Sequence, residues 1–337
     1  ASPIEDAEDI IELALQDASR VQIRQGLNPL VDDLVNESIK RRDRARQHFG
    51  KGPVSISDPS SLIAELRLRK SESEINQMRY SAQVSAQAHI QAMKHSKAGV
   101  GEWAIEAILE CVFKYGATSG NAYPCIVGCG ENATILHYTV NDCPCNGGEI
   151  LLVDAASEFR GYAADITRSW PISGKFTKAQ AEIYQLVLDA QLAAIDQCRI
   201  GNPYDAPHKA ARQCLAKGLI DLGIISQTLS DALDENTGEL KNWYMHNTGH
   251  WIGMDVHDVG IYKPDGKPRL FEQGMVITVE PGLYFGAWRT DVDCPEKYAD
   301  IGIRIEDDVL ITTGDPDVLS RDCPKTIAEI ESIVGTA

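Results

Sequence analysis

The chain has few means of meeting a membrane or a nucleic acid. Its 337 residues contain no apolar run of eighteen, so no spanning helix is expected. The opening stretch, ASPIEDAEDIIELALQDASR, is acidic where a secretory leader is basic, so no leader is read there. Positive charge is scarce: 32 Lys and Arg face 49 Asp and Glu, a net charge of -17. That field repels phosphate, which excludes nucleic acid and anionic membrane as main partners and suits a site built from cation-holding carboxylates. The one basic run, KRRDRAR (40–46), is interrupted by Asp43 and reads as a solvated helix face. Cysteine comes in an odd number, nine, without zinc-ribbon spacing. Cys125 and Cys129, like Cys143 and Cys145, therefore read as reduced thiols of a cytosolic protein.

What is present suggests order. With 43% apolar residues the chain can bury a large core and more than one folding unit. Residues 1–66 read as charged helices followed by GKGPVSISDPSS, a Gly/Pro/Ser-rich loop and a candidate boundary. Beyond it a pattern occurs twice. Ser71 and Glu74 form a capping box before a helix marked by Ile75, Met78, Ala82, Ala86, Ile90 and Met93. A second helix runs to Gly116, then β-rich sequence follows. Thr177 and Gln180 open the other copy, with Ile183, Val187, Ala190 and Ala194 on one face, and a further helix ends near Gly223. Two copies of helix–helix–strands predict a pseudo-two-fold α+β domain, sheets at a central cleft and helices outside.

The strands carry acids in costly places. In EILLVDAAS, Asp154 shares a face with Ile150 and Leu152, and Asp165 sits among small residues in GYAADITR. A turn over Glu158–Gly161 would bring the two aspartates together, where they repel unless a proton or metal intervenes. Glu280 ends MVITVEPG, and GIRIEDDVLIT sets Arg304, Glu306 and Asp308 on one face. A paired structural charge explains any single buried acid. Four acids with Arg304 as the only evident internal cation suggest a pair of divalent ions, with oxygen-rich ligation favouring metals such as manganese. Nearby, MHNTGHWIGMDVHDVG holds His246, His250 and His257. The His246-x-x-x-His250 spacing lacks the glutamate of a zinc-peptidase helix, having Asn247 there, and Gly249 and Gly253 argue against a helix. His250 reads as one ligand from a loop or strand.

Five linked stretches carry a resemblance: GENATILHYT (130–139), LLVDAASEFRGYAADITRSWPISGKFT (151–177), GHWIGMDVHDVG (249–260), GMVITVEPGLY (274–284) and GIRIEDDVLIT (302–312). In order and spacing, residues 67–337 resemble the pita-bread metallopeptidases, in particular the aminopeptidase P branch. The resemblance implies a pseudo-two-fold pita-bread catalytic domain over 67–337, with 1–66 similar to the second half of an N-terminal domain, so that the chain looks truncated or processed. It implies two divalent ions, manganese expected and zinc, cobalt or iron the alternatives. Their ligands would be Asp154, Asp165, His250, Glu280 and Glu306, with Asp165 and Glu306 bridging. It implies hydrolysis of the N-terminal Xaa-Pro bond by a hydroxide shared between the metals. Glu280 would move the proton, His137 and His257 would orient the substrate and stabilise the oxyanion, and His246 would line the proline pocket. Tyr123 and Arg304 match positions beside the metals and substrate. One departure is Asn247, where relatives often have glycine after the first histidine.

The same resemblance sets the wider expectations: peptides with proline second as partners, a homo-oligomer, and a cytoplasmic protein, with the mitochondrial matrix the alternative. Prolidase shares the ligand set, but the short span from Glu280 to Glu306 favours aminopeptidase P. A mitochondrial-type trimming aminopeptidase stays open, and methionine aminopeptidase fits less well. Non-catalytic peptide or histone binders and creatinase-like hydrolases lack metal ligands that this chain keeps.

Overall fold

The computed structural model describes residues 2–117 and 119–337. Contacts divide the chain into two units, Ala1–Leu66 and Arg67–Ala337. The first holds α1 (Ala7–Leu15), β1 (Val21–Gln22), α2 (Pro29–Arg41), α3 (Asp43–Phe49) and β2 (Ile56–Ser57), before α4 (Ser60–Leu68). Asn28 caps α2 by accepting from Leu30 and Val31, and Pro29 sits at its first turn. The Gly/Pro/Ser-rich loop is not the division between the units. It runs beside β1 as the parallel strand β2, Val21 opposite Ile56, and so belongs to the first unit.

The second unit repeats itself. Its first copy has α5 (Glu72–His95), α6 (Glu102–Gly116), β3 (Gly120–Asn121), β4 (Ile126–Cys129), β5 (Ile150–Asp154), β6 (Ser157–Phe159), β7 (Tyr162–Ala163) and β8 (Thr167–Pro171). Its second copy has α7 (Lys178–Asp196), α8 (Ala206–Asp221), the short α9 (Leu229–Ala232), β9 (Val276–Val279), β10 (Gly282–Phe285), β11 (Ile301–Arg304), β12 (Asp307–Leu310) and β13 (Asp317–Val318), closed by α10 (Ile327–Ile333). Both expected capping boxes form, Ser71 with Glu74 and Thr177 with Gln180, and a third opens α10 from Thr326 and Glu329. Such caps contribute about 1 kcal/mol each. Within each copy the helix pair packs together, α5 on α6 and α7 on α8. Among the described residues no helix is long and apolar enough to cross a membrane.

Two antiparallel sheets frame the cleft. One is ordered β4-β5-β8, with Asp154 opposite Ile126 and Thr167. The other is β13-β12-β9, with Asp307 opposite Val279. The turn between Asp154 and Asp165 closes a small hairpin, β6 with β7, over Arg160 and Gly161, both at positive φ. GIRIEDDVLIT is not one strand: the chain leaves β10's partner β11 at Arg304 and enters β12 at Asp307. Glu306 lies in that break, its N–H donating to the Thr167 carbonyl at 3.0 Å. Ser169 binds the Arg304 backbone in both directions, so the two copies are joined beside the break.

The reduced-thiol reading fails at one pair. Cys129 and Cys145 form a disulfide. The chain after β4 wanders back to residues 99–102, where Pro144 bridges Gly101 and the Cys145 N–H donates to Val100. That return, invisible in cysteine spacing, puts Cys145 beside the end of β4. The other seven cysteines are free.

Candidate metal centre and substrate pocket

Asp154, Asp165, His250, Glu280, Glu306, Arg304, His137, His246 and His257 line one cavity of about 320 Å³. Tyr123, the remaining residue singled out from sequence, reaches the same acids: its hydroxyl lies 2.6 Å from an oxygen of Asp154 and 2.6 Å from one of Asp165. A phenol has one proton and donates to one acceptor. The other close approach sets oxygen against oxygen and needs a proton or a cation to hold it.

Each acid arrives on a different element. Asp154 ends β5, Asp165 lies just before β8, Glu280 follows β9, and Glu306 sits between β11 and β12. His250 is held in extended backbone beside β9: Trp251 bridges Ile277, and the Thr278 N–H donates to the His250 carbonyl at 3.0 Å. Glycine is required at 249 for the two segments to lie so close, because a Cβ there would sit 1.9 Å from the Thr278 carbonyl. His250 Nδ1 lies 3.0 Å from the Trp251 carbonyl. Donation through Nδ1 turns Nε2 toward Asp165 at 3.4 Å and Glu280 at 3.7 Å, where it can carry a proton or, once that is lost, meet a metal. Ligand atoms of Asp165, His250 and Glu306 lie within 4.8 Å of one another.

The electrostatics are unbalanced. Burial raises the Glu306 carboxyl far above the usual range, and the charges of Asp165, Glu280 and Asp154 add to it. Burial also lifts Glu280, to about 7, with Asp165 and Asp154 pushing the same way and His250 and Arg304 opposing. Asp154 is raised by burial despite Arg304, whose Nη2 donates to it at 2.7 Å. His250 moves up to about 9, since Asp165 and Glu280 outweigh its burial. Four acids thus share one fixed cation. A carboxylate-rich donor set with one imidazole suits divalent cations, which would relieve the repulsion.

The remaining histidines differ in setting. His246 Nε2 meets the Tyr284 hydroxyl at 2.8 Å, and its Nδ1 lies 3.6 Å from Glu280. Burial, then the Arg304 charge, hold it down at about 3, so the ring is uncharged. His257 is exposed and stands edge-on to His250, ring centres 4.4 Å apart. His137 is exposed at the cavity wall.

Several supporting residues escaped the sequence reading. Thr167 donates to Glu306 at 2.6 Å and accepts from Arg304 Nε at 3.0 Å. Its place two residues after Asp165 was the available signal. Tyr284 joins His246 to Arg304 Nη1, at 3.0 Å, and nothing local in the sequence marks it. Asp308, already placed on the face of Arg304 and Glu306 by the sequence, accepts from the Asp165 N–H at 3.1 Å. Away from these four acids, other buried cations have partners of their own: Arg168 is fully buried against Asp307, and Lys70 against Asp258. An arginine inside an apolar strand was legible as a paired charge.

Residues 76–313 match the model of Metallopeptidase family M24. A Xaa-Pro aminopeptidase of Haemophilus influenzae is 42% identical over 83% of the chain, which spans about two thirds (64%) of that relative. Aminopeptidase PepP of Pseudomonas aeruginosa superposes with a TM-score of 0.93 at 41% identity, over 99% of this chain and 74% of that one. A zinc-substituted Escherichia coli aminopeptidase P in complex with product gives 0.91 at 36% identity, over 99% and 74%. The α+β pita-bread fold is common to them.

Proposed function

The chain belongs to metallopeptidase family M24, and on that premise we propose that it is an aminopeptidase releasing the first residue of peptides with proline in second place. The observation that carries this reading is the convergence of Asp154, Asp165, Glu280 and Glu306 on one cavity whose single fixed cation is Arg304.

Asp154, Asp165, His250, Glu280 and Glu306 would hold two divalent ions, manganese by the hardness of the oxygen donors. Bound there, such ions supply a water acidic enough to attack at neutral pH and a Lewis acid for the scissile carbonyl. Glu280, facing both His246 and His250, takes up the proton released by attack and passes it to the departing proline nitrogen. His137 and His257, exposed at the cavity, orient the peptide and donate to the oxygen that gains charge. His246, uncharged and fixed by Tyr284, walls the proline side. Arg304 and Tyr123 hold Asp154 in register.

Residues 1–66 are read as the later half of a domain preceding the catalytic one, and the protein as a homo-oligomer. The test sets an Xaa-Pro-Yaa tripeptide beside an Xaa-Pro dipeptide, each with manganese. Release of Xaa from the tripeptide is expected; cleavage of the dipeptide alone would replace this reading with a prolidase.

A further inference from the structure

The segment that brings His137 to the cleft has almost no structure of its own. After the 3-10 turn Gly130–Thr134, residues 135–149 contain no helix or strand, only the single bridge from Pro144 to Gly101. A side chain from elsewhere takes the place of a ladder. Glu102, the first residue of α6, is 0% exposed. Its Oε1 accepts from the Cys129 N–H at 2.8 Å and Asn132 Nδ2 at 3.0 Å. Its Oε2 accepts from the Tyr138 hydroxyl at 2.8 Å and the Cys143 N–H at 3.0 Å.

These four donors come from both ends and the middle of one loop, and Tyr138 adjoins His137. Among the described residues no lysine, arginine or histidine is paired with Glu102, so its buried carboxyl is held by these four hydrogen bonds at the favourable start of a helix. Glu102 also lies with Asp142 and Cys143 in a grouping of metal-binding size. Its roughly four acceptor positions are already taken by donors, which speaks against an ion there. The Cys129–Cys145 disulfide closes the same loop covalently.

We propose that Glu102 is a positioning residue, holding loop 129–143 so that His137 faces the cleft. Its effect on catalysis rests on the aminopeptidase reading above; its effect on loop mobility does not. Glu102→Gln keeps the size but turns one acceptor into a donor against N–H and O–H groups. Amide exchange over 130–143 is expected to quicken by about tenfold or more, with β5 and β8 unchanged. On an Xaa-Pro tripeptide kcat should fall about tenfold, with KM within about threefold and metal content unaltered. In a His137→Ala background the same substitution should cost less than about twofold, there being no imidazole left to misplace. Glu102→Asp should restore part of the loss.

If Glu102→Gln does not fold, Tyr138→Phe, which removes one of the four bonds, is measured in its place. Equal kcat factors in the two backgrounds, or unaltered exchange over 130–143, overturn the proposal. A wild-type protein that leaves Xaa-Pro peptides uncut would sink the activity reading instead, and exchange then decides on Glu102 alone.

Discussion

Glu306 and Asp307 are neighbours in the chain, 2% and 0% exposed, and they face opposite fates. Asp307 accepts from Arg168 at 2.7 Å, Lys325 at 2.6 Å, Gln191 at 2.7 Å and Ser320 at 2.6 Å. Burial alone would raise its carboxyl, but Arg168 and Lys325 prevail and hold it below the usual range. Glu306 has a side-chain hydrogen bond from Thr167, and three further acids share its cavity. Its carboxyl is driven far up by burial and by those charges. Burial is the same on both sides of one peptide bond; compensation is not. The compensated acid is a strut, and the uncompensated one marks where a cation belongs.

The comparison can be broken most directly on the cavity side. Asp165→Asn should abolish metal binding and peptidase activity together, a loss beyond the roughly 100-fold that a supporting residue gives. Metal analysis of the purified variant checks it, and an unchanged metal content would overturn the proposed place of Asp165 among the ligands. On the other side, Asp307→Asn leaves Arg168 and Lys325 buried without their acid. Urea unfolding should then show about 3–5 kcal/mol of lost stability.

Acid should act through groups buried uncharged. His89 is fully enclosed, its Nε2 2.9 Å from the Ala155 carbonyl, and burial holds it at about 4 against 6.5 when exposed. Only the unfolded chain takes the proton between those values. Its share of stability is therefore complete above pH 6.5 and falls as pH drops toward 4, by about 2 kcal/mol at pH 5. His89→Gln should remove that part of the slope in unfolding curves taken from pH 7 to pH 5; an unchanged slope would assign it elsewhere. The smallest effect has the opposite sign to the Asp307 change. With metal chelated away, Glu306→Gln removes the cost of protonating a buried carboxyl on folding and should stabilise the fold by about 1 kcal/mol, read as a higher thermal midpoint. A fall comparable to that of Asp307→Asn would erase the distinction between the neighbours.

Much of this was legible in residue order. The repeated helix pairs announced themselves by capping boxes and 3.6-residue spacing, because both are local. The acids stood out because a carboxylate after an apolar run is costly wherever the chain goes. Other features depended on partners far along the chain. Arg168 pairs with Asp307, 139 positions away, and Glu102 binds Tyr138, 36 positions away. The disulfide joins cysteines 16 apart across an irregular return that no periodicity encodes. The continuous alternation over 302–312 concealed a change of sheet, since period two survives a break of two residues.

The sequence by itself determined which side chains are too costly to bury alone and which segments are helices or strands, because desolvation and backbone periodicity act over a few residues. The tertiary structure decided which of those acids are neutralised. Two acids one residue apart differ only in what long-range packing brings within about 3 Å, the reach of a hydrogen bond, and charge compensation falls off too steeply for anything farther to substitute.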